Sequence, residues 1–199
     1  KLLKRMQKRL PDVEFLPLEE VGFEHAPKRN RGKLASIVIA NGCNNYCAFC
    51  IVPFSRGKER SRPFQDILDE VKQAVAEGKT EIMLLGQNVN SYGADILFEA
   101  MKNKGKYELP NGEVVEPVMV KHLGRHRIPT IFPQLLEAVA TTPGVQKVSF
   151  LSSNPWDFSD TLIETIAQHE NIDRLLHLPI QAGSNKIIQA MNRWYTREE

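Results

Sequence analysis

All three cysteines of the 199-residue chain fall within eight residues, Cys43-Asn44-Asn45-Tyr46-Cys47-Ala48-Phe49-Cys50. This C-x3-C-x2-C run constrains the chain more than any other feature, because it supplies three thiolates and no fourth. Iron–sulfur clusters are held by cysteine thiolates, and three of them suit a cubic cluster with one iron left open. Catalytic metal sites keep such a position for the reactant, whereas structural sites fill it. A disulfide would leave one thiol over, and nothing marks the chain as secreted. A zinc site needs a fourth ligand, and structural zinc usually repeats a C-x2-C pair. His25 and His122 are candidates for that ligand, but neither sits at finger-like spacing.

The residues around the cysteines set the fold expectation. Leu34–Ala40 is a short β-branched apolar run, the signature of a buried strand, and it feeds directly into the cysteine loop. Pro63 suits a helix's first turn; Phe64, Ile67, Leu68, Val71 and Val75 follow at helical period, and Gly78 ends the run. Ile82–Gly86 reads as a second strand and Val145–Leu151 as a third. Leu175–Leu178 reads as a fourth. Between them lie helices with Leu135, Leu136 and Val139 inward, and with Phe158, Leu162, Ile163 and Ile166 inward. Ser184 is placed to cap a last helix bearing Ile187, Ile188 and Met191.

Strands alternating with helices predict right-handed βαβ units on a parallel sheet. Four units are visible, whereas a closed eight-fold barrel needs about 250 residues. The expectation is therefore an α/β fold, a parallel-sheet partial (β/α) barrel, incomplete in this chain. Residues 94–130 interrupt the pattern as a surface insertion, with Asn111-Gly112 as the turn of a small hairpin. Polar sets follow all four strands: the cysteines, Gln87–Asn90, Ser152–Pro155 and Gln181–Ser184. In parallel α/β architectures that edge binds ligands.

Charge adds a local clue. The net charge of +2 is too small to argue for nucleic-acid binding, but residues 1–33 hold nine Lys/Arg against five Asp/Glu. That segment reads as a short basic helix and a linker, broken by Pro11, Pro17 and Pro27. A second basic run, Arg56, Lys58, Arg60 and Arg62 against Glu59, directly follows the cysteine loop. It reads as a phosphate-binding surface, or as a solvated face in which Arg60 or Arg62 pairs with Asp66, Asp69 or Glu70. No apolar stretch approaches the roughly 18 residues of a membrane span. The basic start, Lys1–Arg5, lacks the apolar core of a signal peptide. Both ends read as cuts in a longer sequence.

The stretch Gly42–Pro63, which contains the cysteines and the basic run, closely resembles the radical-SAM methylthiotransferases. Leu84–Gly93, His177–Gln181, Met191-Asn192-Arg193 and Tyr195–Glu199 are similar to that family's MiaB-like, tRNA-acting branch in particular. The resemblance covers 34–93 and 131–199 well, and 1–33 loosely, as a linker behind an N-terminal domain. Departures are the 94–130 insertion, Ser153-Asn154-Pro155 where the family carries Ser-His-Pro, Gln181-Ala182-Gly183-Ser184-Asn185 where it carries Gln-Ser-Gly-Ser-Asp, and Trp194.

The resemblance implies a radical-SAM domain over 34–199, with Cys43, Cys47 and Cys50 holding a 4Fe-4S cluster. S-adenosylmethionine (SAM) binds the open iron through its amino and carboxylate groups. One electron then yields a deoxyadenosyl radical, which removes a hydrogen from C2 of an N6-isopentenyl-adenosine in the tRNA anticodon loop. A second 4Fe-4S cluster on the N-terminal domain supplies sulfur, another SAM supplies methyl, and a C-terminal TRAM domain binds RNA. Partners implied are tRNA and an electron donor such as flavodoxin or ferredoxin, for a cytoplasmic monomer. Cofactor-contact candidates are Tyr46, Phe49, Gln87, Asn88, Asn90, Ser152, Ser153 and Gln181; substrate-contact candidates are Arg56, Lys58 and Arg60. Loop packing is the competing role for Tyr46 and Phe49, and turn stabilisation for Gln87, Asn88 and Asn90. His177, in an apolar run, reads from its neighbours alone as a satisfied core histidine. The alternatives are action on another tRNA base or a ribosomal protein, or a non-catalytic metal-binding module. By itself the chain is expected to bind a cluster without completing the methylthiolation.

Overall fold

The computed structural model describes residues 32–102, 106–115, 120–122, 125–127 and 130–199. The expected basic helix and linker, and His25, lie outside the described residues, as does the side chain of His122. Three strands, β1 (Leu34–Val38), β4 (Glu81–Leu85) and β9 (Lys147–Phe150), form one parallel sheet in the order β1-β4-β9. Their register pairs Ile37 with Leu84 and Leu84 with Phe150. Two short strands, β2 (Ala40–Asn41) and β3 (Arg60–Ser61), pair antiparallel beyond the end of β1, and α1 (Val52–Ser55) lies between them.

The helices follow from their apolar periods. In α2 (Phe64–Ala76), Phe64, Ile67, Val71 and Ala74 are buried. In α4 (Phe132–Ala140), Leu135, Leu136 and Val139 are fully buried, as expected. These side chains join Ala35, Ile37, Ile82, Leu84, Val148 and Phe150 in one core. In α5 (Asp160–Gln168), Leu162 and Ile166 enter that core, but Ile163 is 51% exposed and Thr165 is buried instead. Helix α6 (Asn185–Ala190) buries Ile188 and leaves Ile187 outside; Ser184 sits at its N-cap without a side-chain capping bond.

Two expectations are corrected. The run at Leu34–Val38 is not buried on both faces: Ala35 and Ile37 face the helices, whereas Leu34, Ser36 and Val38 are exposed. An apolar run records propensity for a strand, not how many faces are covered. Leu175–Leu178 forms no strand. A single parallel bridge, Val148 to Ile172, precedes it, and Leu175 is 84% exposed. The Ser153 amide donates to the His177 carbonyl at 3.2 Å, so the segment follows the sheet edge without a ladder.

Residues 94–115 begin with α3 (Ala94–Lys102) and continue in the hairpin β5 (Tyr107–Glu108) and β6 (Val114–Val115). Leu97 and Leu109 from this stretch are buried in the common core. A second antiparallel pair, β7 (Val120–His122) and β8 (Arg125–Arg127), follows.

Candidate metal centre

Because β1, β4 and β9 run parallel, the chain leaves all three at one edge. After β1 it passes through β2 to Gly42, whose φ is 73°. A Cβ there would fall onto the Lys58 carbonyl, so the crossing requires glycine. The Cys43 amide donates to the Gly57 carbonyl at 3.3 Å, and the Glu59 amide to Asn44 Oδ1 at 3.2 Å. These bonds and the β2–β3 pair close the base of the cysteine loop.

The far end of the chain holds the loop's other side. The Ala48 amide donates to the Met191 carbonyl at 2.9 Å, and Asn192 Nδ2 to the Tyr46 carbonyl at 2.7 Å. Arg193 Nη1 donates to Cys47 Sγ at 3.2 Å. Residues 191–193 therefore lace the loop across most of the sequence.

Cys43, Cys47 and Cys50 line one cavity of about 190 Å³. The opposing wall comes from the ends of β4 and β9 and from the segment beyond Ile172, through Gln87, Asn88, Ser152, Ser153 and Gln181. Phe49 lines it as well. Nine of the residues singled out in the sequence thus line one cavity. Tyr46 and Asn90 are not in the lining. The Tyr46 ring packs edge-on against Phe54, 6.3 Å between centroids. Asn90, fully buried, donates through Nδ2 to the Asn154 carbonyl and accepts the Asn154 amide at 2.9 Å, bracing the loop that carries Ser153.

His177 is not a core residue. It is exposed at the cavity wall, and its Nδ1 accepts the Ser152 amide at 2.8 Å. That bond places the neutral ring's proton on Nε2. Ser152 has φ 67°, and Tyr46, Gln181 and Asn192 are the other described non-glycine residues in the left-handed region. Two of the four line the cavity and two brace its cysteine loop. Strained backbone of this kind persists where surrounding structure enforces it, commonly at functional sites.

Among the described residues, two buried polar atoms of the cavity's lining have no partner, Asn88 Oδ1 and Ser153 Oγ. Asn88 spends its Nδ2 on Asp157 at 2.8 Å, leaving the carbonyl oxygen for a ligand. Unsatisfied buried polar groups carry a desolvation cost that a polar ligand would relieve. Burial pushes the Cys43 thiol up to about 11, so a metal must displace its proton to bind it as thiolate. Among the described residues no three Cys, His, Asp or Glu side chains are gathered to share a single ion. Three thiolates spread around one cavity fit a cluster, in which each cysteine takes a different iron.

Residues 37–199 match the profile of the Radical SAM superfamily. The chain belongs to the radical SAM superfamily. It is 44% identical over 171 residues to the tRNA-2-methylthio-N(6)-dimethylallyladenosine synthase of Carboxydothermus hydrogenoformans, covering 86% of this chain and 32% of that protein. It is 45% identical over 163 residues to the synthase of the same name from Bacteroides thetaiotaomicron, covering 81% of this chain and 30% of that protein. This radical SAM chain thus spans about a third of the length of the curated relatives it matches. Among solved structures, the radical S-adenosylmethionine methyltransferase TsrM from Kitasatospora setae superposes with TM-score 0.49 at 15% identity, covering 96% of this chain and 32% of that one.

Arg193 and Pro179 also line the cavity, and sequence reasoning gave them no role there; Asn154, from the polar set after the third apolar run, lines it too. Arg193 lies in Met191-Asn192-Arg193, which carries part of the resemblance, but only the fold shows that it reaches Cys47.

Proposed function

We propose that this chain is the cluster-binding core of a radical-SAM tRNA methylthiotransferase, which adds a methylthio group at C2 of N6-isopentenyl-adenosine beside the anticodon. The observation that carries the reading is the convergence of Cys43, Cys47 and Cys50 on one cavity walled by the sheet's loop edge. Identity of 37–45% to synthases of that reaction supports the substrate class.

Cys43, Cys47 and Cys50 hold a 4Fe-4S cluster in this reading, and no fourth cysteine of the chain competes for the open iron. A cluster held there would supply the electron that reductively cleaves SAM. Phe49 offers an apolar surface for the adenine. Gln87, Asn88, Ser152, Ser153 and Gln181 offer hydrogen bonds to the ribose and methionine groups, with Asn88 Oδ1 and Ser153 Oγ the atoms in most need of them. Asn90 and Tyr46 act by bracing rather than by contact. Arg56, Lys58 and Arg60, all exposed and following the cysteine loop in sequence, bind tRNA phosphates.

The sulfur comes from a second 4Fe-4S cluster held outside this chain, since all three of its cysteines are committed. A flavodoxin or ferredoxin delivers the electron, and the enzyme works as a cytoplasmic monomer. Among the described residues no helix is long and apolar enough to cross a membrane. The test is anaerobic reconstitution with iron and sulfide, then reductant, SAM and tRNA. The expected products are deoxyadenosine and unmodified tRNA. Methylthiolated tRNA from this chain alone would overturn the proposed sulfur source, and loading with zinc in place of iron would overturn the cluster.

A further inference from the structure

Arg193 is a half-buried cation with neutral company. Its Nε donates to Tyr195 Oη at 3.3 Å and its Nη2 to the Pro179 carbonyl at 3.3 Å. Its Cζ lies 5.3 Å from the centroid of the Tyr195 ring. Tyr195 is buried and donates its own hydroxyl to the Ile180 carbonyl at 2.8 Å. Among the described residues no carboxylate pairs with Arg193. Its remaining contact is Nη1 to Cys47 Sγ at 3.2 Å.

Even partial desolvation of a cation carries a cost that a facing anion offsets. A guanidinium cannot shed its proton to escape that cost. Among the described residues it meets the Cys47 sulfur, 3.2 Å from Nη1, which becomes anionic when it holds a cluster. A cluster on three thiolates is anionic, and becomes more so when reduced. Net charge and hydrogen bonds to the sulfurs are among the terms that set a cluster's reduction potential. A fixed positive donor at one sulfur favours the reduced form, so it raises the potential. The fork is fixed by construction: Tyr195 and Pro179 hold two arms, leaving the third aimed at Cys47.

We propose that Arg193 is a positioning residue that hydrogen-bonds the Cys47 sulfur of the loaded cluster and sets its reduction potential upward. This rests on the cluster reading above. It assigns Arg193 to the electron-accepting step rather than to SAM or tRNA.

The test compares the reconstituted chain with Arg193→Gln and Arg193→Lys, without SAM. The readouts are iron per chain and the midpoint potential followed by electron paramagnetic resonance. The expected result is a more negative midpoint for R193Q at unchanged iron content, with R193K between it and the unaltered chain. A proton coupling to the reduced cluster that is lost in deuterium oxide should weaken in R193Q. An unchanged SAM-free potential in R193Q overturns the proposal, including the case where the shift appears only once SAM is added, which assigns Arg193 to the SAM carboxylate. Loss of iron in both variants also overturns it, in favour of a purely structural clamp. Failure of the unaltered chain to take up iron removes the cluster reading and this proposal together, whereas iron uptake without a shift removes this proposal alone.

Discussion

The side-chain amide of Asn192 donates to the carbonyl of Tyr46 at 2.7 Å, joining two left-handed residues with φ of 56° and 48°. One lies inside the cysteine loop and the other just past α6, so this bond helps fix where the loop sits. Asn192→Ala removes both the bond and the side chain best suited to that backbone. The expected cost is about 1–3 kcal/mol by thermal unfolding. Iron uptake should fall with it. Unchanged stability and iron content would show that the loop needs no brace from 191–193.

Gly42→Ala should be more severe at the site than in the fold. Its φ of 73° and the close Lys58 carbonyl leave no room for a Cβ. The substitution should destabilise the chain by at least about 1 kcal/mol. Iron binding should be lost, with helical circular dichroism retained because α2, α4 and α5 lie away from this crossing. A normally loaded Gly42→Ala chain would contradict the close packing of the loop base.

The parts legible in the sequence were those governed by local pattern. The periods of α2 and α4 gave their inward residues, and Asn111-Gly112 gave the hairpin turn. Polar residues after each apolar run located the edge where the cavity lies. What escaped was tertiary. Nothing local shows that β1 is covered on one face, or that Leu175–Leu178 finds no ladder. Asn90 looked like its neighbours Gln87 and Asn88, yet its amide meets Asn154 in another loop. The Arg193–Cys47 contact spans 146 residues, beyond any local pattern.

Glu59 should give the apo chain a measurable pH dependence. It is buried, and desolvation, with Asp157 and Asp95 nearby, pushes its carboxyl up from 4.5 to about 8 against the opposing Ser91 bond. The Ser91 hydroxyl lies 2.6 Å from Glu59 Oε2 and 2.8 Å from the Asn88 carbonyl, and its one proton serves only one of them. A protonated Glu59 supplies the second proton. The folded chain therefore keeps a proton that the unfolded chain releases above 4.5. That contribution to stability is full below 4.5 and is lost as pH rises through about 8. Glu59→Gln should flatten the fall in unfolding midpoint across this window. An equally steep fall in the variant would assign the dependence elsewhere.

Arg62 is tied into the fold, a role distinct from the one proposed for its neighbours in the basic run. Arg62 Nη1 pairs with Glu70 Oε2 at 2.6 Å and also donates to the Val38 carbonyl at 2.9 Å, so it serves the fold. Arg62→Ala should lower stability by about 1–3 kcal/mol. Neutralising Arg56, Lys58 and Arg60 in the whole protein should instead weaken tRNA binding and leave the cluster spectrum intact. Each lost phosphate contact should flatten the log–log salt dependence by about 0.7–0.9. An unchanged slope and affinity would remove these three residues from the RNA surface.

Metal and sulfide analysis of the anaerobically reconstituted chain tests the cluster most directly. Three thiolates around one cavity should yield about four irons and four sulfides per chain, and Cys43→Ala, Cys47→Ala or Cys50→Ala should each abolish stable loading. One zinc per chain with no iron, or full iron loading after loss of any one cysteine, would contradict a cluster held by these three residues.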